Sequence, residues 1–133
     1  MIEEIELRQT RWFINTAWYE THRRSLSVVL KGYLCSKCSK KLKAKEREVS
    51  VDTMLASIKS CCSGDKDFIE SRMPVAEKVF RILLSNGNQP LELDEISNRI
   101  AKKTGTSFPT VSQQTLFRVI NNDRYYGITQ AAD

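Results

Sequence analysis

The sequence predicts a mostly α, α+β protein built in two parts, and three observations carry that expectation. Apolar residues recur at helical spacing through the second half, the few alternating stretches are long enough only for very short strands, and all four cysteines fall in the first half beside a block of basic residues. The division is placed at Met73-Pro74, because proline disfavours helix in the residue before it. A cysteine-bearing module then spans residues 1–72 and a second domain residues 73–133. A chain of 133 residues holds one ordinary domain or two small ones that supplement each other. Its 41% hydrophobic and 28% charged residues are those of a folded globular chain and argue against wholesale disorder.

Met1-Ile-Glu-Glu-Ile-Glu-Leu7 is acidic and lacks the basic start and apolar run of a secretory signal. No stretch approaches the roughly 18 apolar residues of a membrane span, the longest candidate being Leu26-Ser-Val-Val-Leu30. A cytoplasmic location without membrane contact is expected. From Trp12 to Leu34 the pattern is helical but broken: Asn15 and Thr16 offer caps before Ala17–Glu20, Ser25 opens Leu26–Lys31, and Gly32 is a plausible stop. Trp12, Phe13, Trp18, Tyr19 and Tyr33 concentrate in this region, and such rings commonly supply the core of a module too small to build one from aliphatics. Ser50 then precedes Val51–Lys59, where Val51, Met54, Leu55 and Ile58 recur at helical spacing, and Ser63-Gly-Asp65 ends the run.

Cys35-x2-Cys38, 22 intervening residues and Cys61-Cys62 present four thiols in two clusters. In a reducing compartment stable disulfides are rare, so metal or packing is the first expectation. Tetrahedral zinc takes four thiolates, and a two-residue gap lets one tight turn direct both sulfurs at one ion. Adjacent residues point apart in regular structure, so Cys61 and Cys62 reach the same ion only if the chain turns there, which Ser63-Gly64 permits. Four thiolates around a divalent ion leave a net charge of about −2, which Lys37, Lys40 and Lys41 offset. Tyr33-Leu-Cys-Ser-Lys-Cys-Ser-Lys-Lys41 resembles the knuckle of zinc ribbons, although a ribbon's second pair repeats the x2 spacing where this chain has neighbours. A structural zinc on Cys35, Cys38, Cys61 and Cys62 is therefore expected, with His22, the single histidine, as a substitute for one of the adjacent pair. Buried free thiols and a redox pair are the alternatives, but a thioredoxin-like site needs a strand–helix–strand setting that the pattern does not supply.

The formal charge of +5 is unevenly spread. Residues 23–47 hold nine basic side chains against Glu46 alone, whereas from Pro74 onward seven basic residues face six acidic ones. Lys40, Lys41, Lys43, Lys45 and Arg47 alternate with Leu42 and Ala44 in a segment read as extended or loop. They form a stripe able to track phosphates; a merely solvated face is the plainer reading.

In the second half Val75, Val79, Phe80, Ile82 and Leu83 define one buried helix face, ended by Asn86-Gly-Asn88. Leu91 and Leu93 suit a very short strand, Asp94 a cap for Glu95–Lys103, and Gly105 its close. A third helix is expected from near Pro109 through Leu116, Val119 and Ile120 to Asn122, followed by a strand-like tail at Arg124–Thr129. Three helices with a strand after the first and another after the third match a winged helix-turn-helix. On Val75–Leu84, Leu93-Asp-Glu-Ile96 and Leu116-Phe-Arg-Val-Ile120 before Tyr126-Gly-Ile128, residues 74–129 resemble the winged-helix family that includes the N-terminal domain of the bacterial RNA polymerase delta subunit, with a tail too short for a two-stranded wing. The resemblance implies a third helix able to enter a major groove. Gln114, Thr115 and Arg118 lie there opposite Leu116, Val119 and Ile120, and glutamine pairs with adenine, arginine with guanine. One basic residue is few for a duplex, and a solvated face explains the same pattern.

The expected function is a non-enzymatic nucleic-acid-binding protein with structural zinc, concerned with transcription regulation and with DNA foremost as partner. One alternative is an adaptor whose nearly neutral winged helix holds a protein of the transcription or translation machinery. Another is a thiol-based redox sensor in which Cys61 and Cys62 release metal on oxidation. Catalysis is not expected, since His22 has no nucleophile partner and no glycine-rich phosphate loop occurs; a small-molecule ligand is not expected either.

Overall fold

The structure is a computed structural model that describes residues 4–43, 49–106 and 111–132. It is mostly helical with one small antiparallel sheet, the α+β class expected. Helix α1 (Glu4–Gln9) turns at Thr10 into strand β1 (Arg11–Ile14). The Thr10 hydroxyl closes that corner, donating to the Leu7 carbonyl at 2.7 Å and accepting from the Trp12 indole N–H at 2.9 Å. The expectation of helix from Trp12 is corrected here: Trp12 and Ile14 are buried on one side of a pleat, Arg11 is exposed on the other, and both strand edges find partners.

Those partners come from the far end of the chain. Strand β1 is the middle of three, in the order β2-β1-β3, where β2 is Leu91–Glu92 and β3 is Ile128–Gln130. Arg11 and Trp12 pair with Glu92 and Leu91, while Trp12, Phe13 and Ile14 pair with Gln130, Thr129 and Ile128. Asn88, held at φ 61°, extends the ladder with its side chain: its Oδ1 accepts the Ile14 N–H at 2.7 Å and its Nδ2 donates to the Ile14 carbonyl at 2.9 Å. Asparagine tolerates that left-handed backbone better than other side chains do.

Helices α2 (Thr16–Thr21), α3 (Leu26–Lys31) and α5 (Val51–Ser60) each begin at the expected cap, with Asn15, Ser25 and Ser50 side chains accepting from Ala17, Val28 and Thr53 N–H groups. Helix α4 (Ser36–Lys43) occupies the lysine run that the sequence reading makes extended or loop. Its reason is the Cys38-x3-Leu42 spacing, which puts the element's two buried residues on one face. A 3-10 turn (Cys62–Gly64) follows α5. Helix α6 (Val75–Ser85) is the centre of the molecule, burying Val79, Phe80, Ile82, Leu83 and Leu84 against α5, β1, α7 (Leu93–Lys103) and α8 (Gln113–Asn121). Helix α7 begins one residue before Asp94, which does not cap it but accepts from Gln113 of α8 at 3.2 Å. Helix α8 is capped by Ser112 rather than starting near Pro109, which lies outside the described residues.

The sheet crosses the division placed at residue 72, and one apolar core joins Leu7, Trp12, Tyr19 and Leu30 to Phe80, Leu93, Leu116 and Ile120. A polar hub repeats the connection. The Glu77 carboxylate accepts the hydroxyls of Tyr33 at 2.8 Å and Tyr126 at 2.9 Å and the Arg81 Nε–H at 2.9 Å, and Arg81 donates onward to the Phe68 carbonyl at 2.9 Å. Burial first, and the carboxylate beside them second, push both tyrosines far above their ordinary range, so they stay hydroxyl donors.

Gly127 marks a close approach. At φ 72° it lies against α2, where an added Cβ would stand 2.8 Å from Tyr19 Cε1 and 3.1 Å from Trp18 Cε3. Gly127→Ala is expected to cost about 1–3 kcal/mol through backbone strain and overpacking, a fall in Tm of roughly 4 °C per kcal/mol. A thermal melt unchanged within 1 °C or so of wild type would contradict this packing.

Candidate metal centre

Cys35 stands where α4 begins. Its carbonyl accepts the Ser39 N–H at 2.8 Å, the first backbone bond of the helix, and its sulfur stands at the place from which a serine or aspartate would cap. The Cys38 N–H first, and the Cys62 thiol next, pull Cys35 down to about 7, in keeping with thiolates at helix N-termini. Cys38 lies one turn further on, buried on the same face as Leu42.

Cys61 ends α5. At φ −132°, ψ −65° it leaves the helix, and the 3-10 turn starts with the next residue. This is the turn that two adjacent cysteines require in order to face one place. The sulfurs of Cys35, Cys38 and Cys61 all lie within 4.8 Å of one another, those of Cys35 and Cys61 at 3.9 Å. The Cys62 sulfur sits beside this triangle, accepting the Cys35 backbone N–H at 3.1 Å. No disulfide joins any of the four.

Cys38 and Cys62 are raised chiefly by burial, while hydrogen bonding with the Cys38 and then the Cys35 thiol pushes Cys61 up to about 11. One sulfur thus gives up its proton easily and three retain theirs. A cation that takes the place of those protons neutralises thiolates that burial otherwise disfavours, which makes metal uptake proton-coupled. The group can hold a metal ion, and its donors are soft thiolates.

The other expected site residues lie elsewhere. His22 is exposed, stacked on Trp18 with ring centroids 4.1 Å apart and its Nδ1 2.7 Å from the Trp18 carbonyl oxygen, and it does not belong to the sulfur group. Trp12 packs edge-on against Phe117 at 5.6 Å and Tyr33 against Phe80 at 5.2 Å, so the expected aromatic core around the cysteines is instead part of the shared core. Lys40, Lys41 and Lys43 are exposed on α4, with Lys37 beside them and no acidic residue in the helix. Lys45 and Arg47 lie outside the described residues. Gln114, Thr115 and Arg118 are exposed on α8, the Thr115 hydroxyl accepting from Ser112 at 3.0 Å. Sequence reasoning missed the Glu77 hub and the amide donated to Cys62; neither leaves a local pattern, because Tyr33, Tyr126 and the Cys35 amide stand 27 to 49 residues from their acceptors.

No helix among the described residues is long and apolar enough to cross a membrane. Comparison with known protein families, with curated proteins and with solved structures yields no match to this chain.

Proposed function

We propose that the chain is a non-enzymatic nucleic-acid-binding protein acting in transcription regulation, whose phosphate-contacting helix α4 is fixed by a structural zinc on Cys35, Cys38, Cys61 and Cys62. The observation that carries this reading is the sulfur cluster at the root of a helix whose charges are all basic. Zinc–sulfur bonds of about 2.3 Å set tetrahedral sulfur–sulfur edges near 3.8 Å, and the Cys35–Cys61 separation of 3.9 Å has that dimension. Cys62, already bonded to the Cys35 amide, is the fourth ligand in this reading. Lys37, Lys40 and Lys41 then offset the negative charge of the tetrathiolate while presenting ammonium groups outward.

The second half acts as a winged helix whose wing is permuted. Helices α6, α7 and α8 take the three helical places, and β1, arriving from before the first of them, fills the sheet position for which the tail alone is too short. Helix α8 offers Gln114 and Arg118 outward with only one cation, so affinity comes from α4 and α8 supplies orientation.

The test is binding to mixed-sequence DNA and RNA across a salt series. Neutralising Lys40, Lys41 and Lys43 together is expected to weaken binding and flatten the log–log salt slope by about 2 to 3, near one unit for each phosphate that no longer meets a lysine. No binding even at about 50 mM salt would reject this function and leave the protein-holding adaptor. Loss of metal on mild peroxide treatment with a Cys35–Cys61 disulfide would favour the redox sensor instead, since those sulfurs are 3.9 Å apart.

A further inference from the structure

A groove of about 230 Å³ runs between α4 and α5. One wall carries Lys37 and Lys41 of α4; the other carries Thr53, Ser57 and Ser60 of α5, spaced so that three hydroxyls line one helix face. Leu42 forms an apolar side, and Cys38 and Cys61, one from each wall, close one end. No carboxylate lines it among the described residues.

The hydroxyls are set to donate. The Ser50 Oγ accepts the Thr53 N–H at 3.1 Å and lies 2.9 Å from Thr53 Oγ1, so Ser50 can donate to Thr53 and leave the threonine proton free. The Ser60 hydroxyl is used internally, donating to the Ala56 carbonyl at 2.8 Å. Ser57, half-buried at the middle of the stripe, has no side-chain partner among the described residues. Two ammonium groups facing two available O–H donors, with no carboxylate in the lining among the described residues, suit a phosphodiester.

Size decides which nucleic acid. A recess of about 230 Å³ lined from both walls takes in one sugar–phosphate unit, whereas a duplex, whose major groove alone is about 12 Å across, is too broad to enter it. We propose that this groove seats the backbone of a single-stranded nucleic acid, with one phosphodiester held between Lys37 and Lys41 on one side and Ser57 and Thr53 on the other. The sulfur cluster fixes the groove's width, since its ligands come from both walls. This rests on the reading of α4 as a phosphate-contacting helix and names the form of nucleic acid that it takes.

The experiment compares a labelled single-stranded oligonucleotide of about 12 nucleotides with a duplex of the same sequence, on the zinc-loaded full chain at low salt, by fluorescence anisotropy. The single strand is expected to bind at least about tenfold more tightly. Ser57→Asp, which places a carboxylate in the groove, and separately Lys37→Glu with Lys41→Glu on the exposed face, are each expected to weaken that binding about tenfold or more. Equal affinity for strand and duplex, or single-strand binding that survives both variants while Lys40→Ala with Lys43→Ala removes it, would overturn the groove and leave α4 as a phosphate-contacting helix. No binding of either form by the unaltered protein would sink both readings.

Discussion

Cys61→Ser is expected to lose stoichiometric zinc and to free α4 from the body of the protein while α6 and the sheet stay folded. The reason lies in how α4 is held. Only Cys38 and Leu42 of its residues are buried, and its first backbone bond is made to Cys35. Structural zinc binding contributes about 10–16 kcal/mol in small modules, far more than one leucine, which contributes about 1.5–3 kcal/mol when fully buried. Helix α5 has independent support from α3 and α6, where Met54 and Ile58 are fully buried, so the damage stops at α4 and the turn after α5. Elemental analysis should find one zinc per chain in the wild type and well under one in Cys35→Ser, Cys38→Ser and Cys61→Ser. Hydrogen exchange should show the amides of Ser39 to Lys43 losing protection while those of Leu83 and Phe13 keep theirs. Cys62→Ser should retain part of the zinc, because water or the serine hydroxyl can occupy the fourth position while the triangle of sulfurs stands. Full zinc retention by Cys61→Ser, or loss of protection throughout residues 15–72, would contradict the geometry.

Local signals in the sequence were legible to the extent that the physics behind them is local. Asn15, Ser25 and Ser50 each satisfy an amide two or three residues away, so their caps could be read directly. The same holds for the apolar face of α6 and for the stop at Asn86-Gly-Asn88. The cysteines could be grouped from spacing and ligand chemistry alone, and the turn after Cys61 was a requirement of that grouping. What escaped depends on partners distant in the chain. Residues 11–14 hold three large apolar side chains that suit a helix as well as a strand, and only β2 and β3, about 80 and 115 residues away, decide between them. The lysine run misled for a related reason: its alternating charges suggest an extended stripe, but Cys38 and Leu42 need one buried face, and packing overrides the pattern. The boundary at Met73-Pro74 is a real break in helix, yet a break in helix is not a break in core.

A fragment of residues 73–133 is expected not to fold cooperatively, and that follows from the sheet order. Strands β2 and β3 pair with β1 and not with each other, so without residues 1–14 both are left unpaired, at two and three residues long, below what stands alone in water. The fragment also loses Leu7, Trp12 and Ile14 from its core, at about 1.5–3 kcal/mol each, together with the Thr10 carbonyl that accepts the Leu93 N–H at 2.8 Å and the Ile14 groups that satisfy Asn88. A total of about 5–9 kcal/mol compares with the whole stability of an ordinary domain, about 5–15 kcal/mol. Circular dichroism of the fragment should therefore show partial helix and no cooperative melt. The antiparallel register offers the complementary experiment. The Ala131 N–H donates to the Arg11 carbonyl at 2.7 Å, so the end of β3 lies beside the start of β1, and an Asn-Gly turn can join them as a hairpin. Residues 73–132 followed by that turn and residues 11–14 should regain a cooperative melt, because the hairpin returns Trp12 to Phe117 and Ile14 to Asn88. Cooperative melting of the unextended fragment would show that β1 is dispensable and would remove the basis for a permuted wing; failure of the extended one would show that the rest of residues 1–72, α1 against α7 and α8 and α5 against α6, carries the larger share.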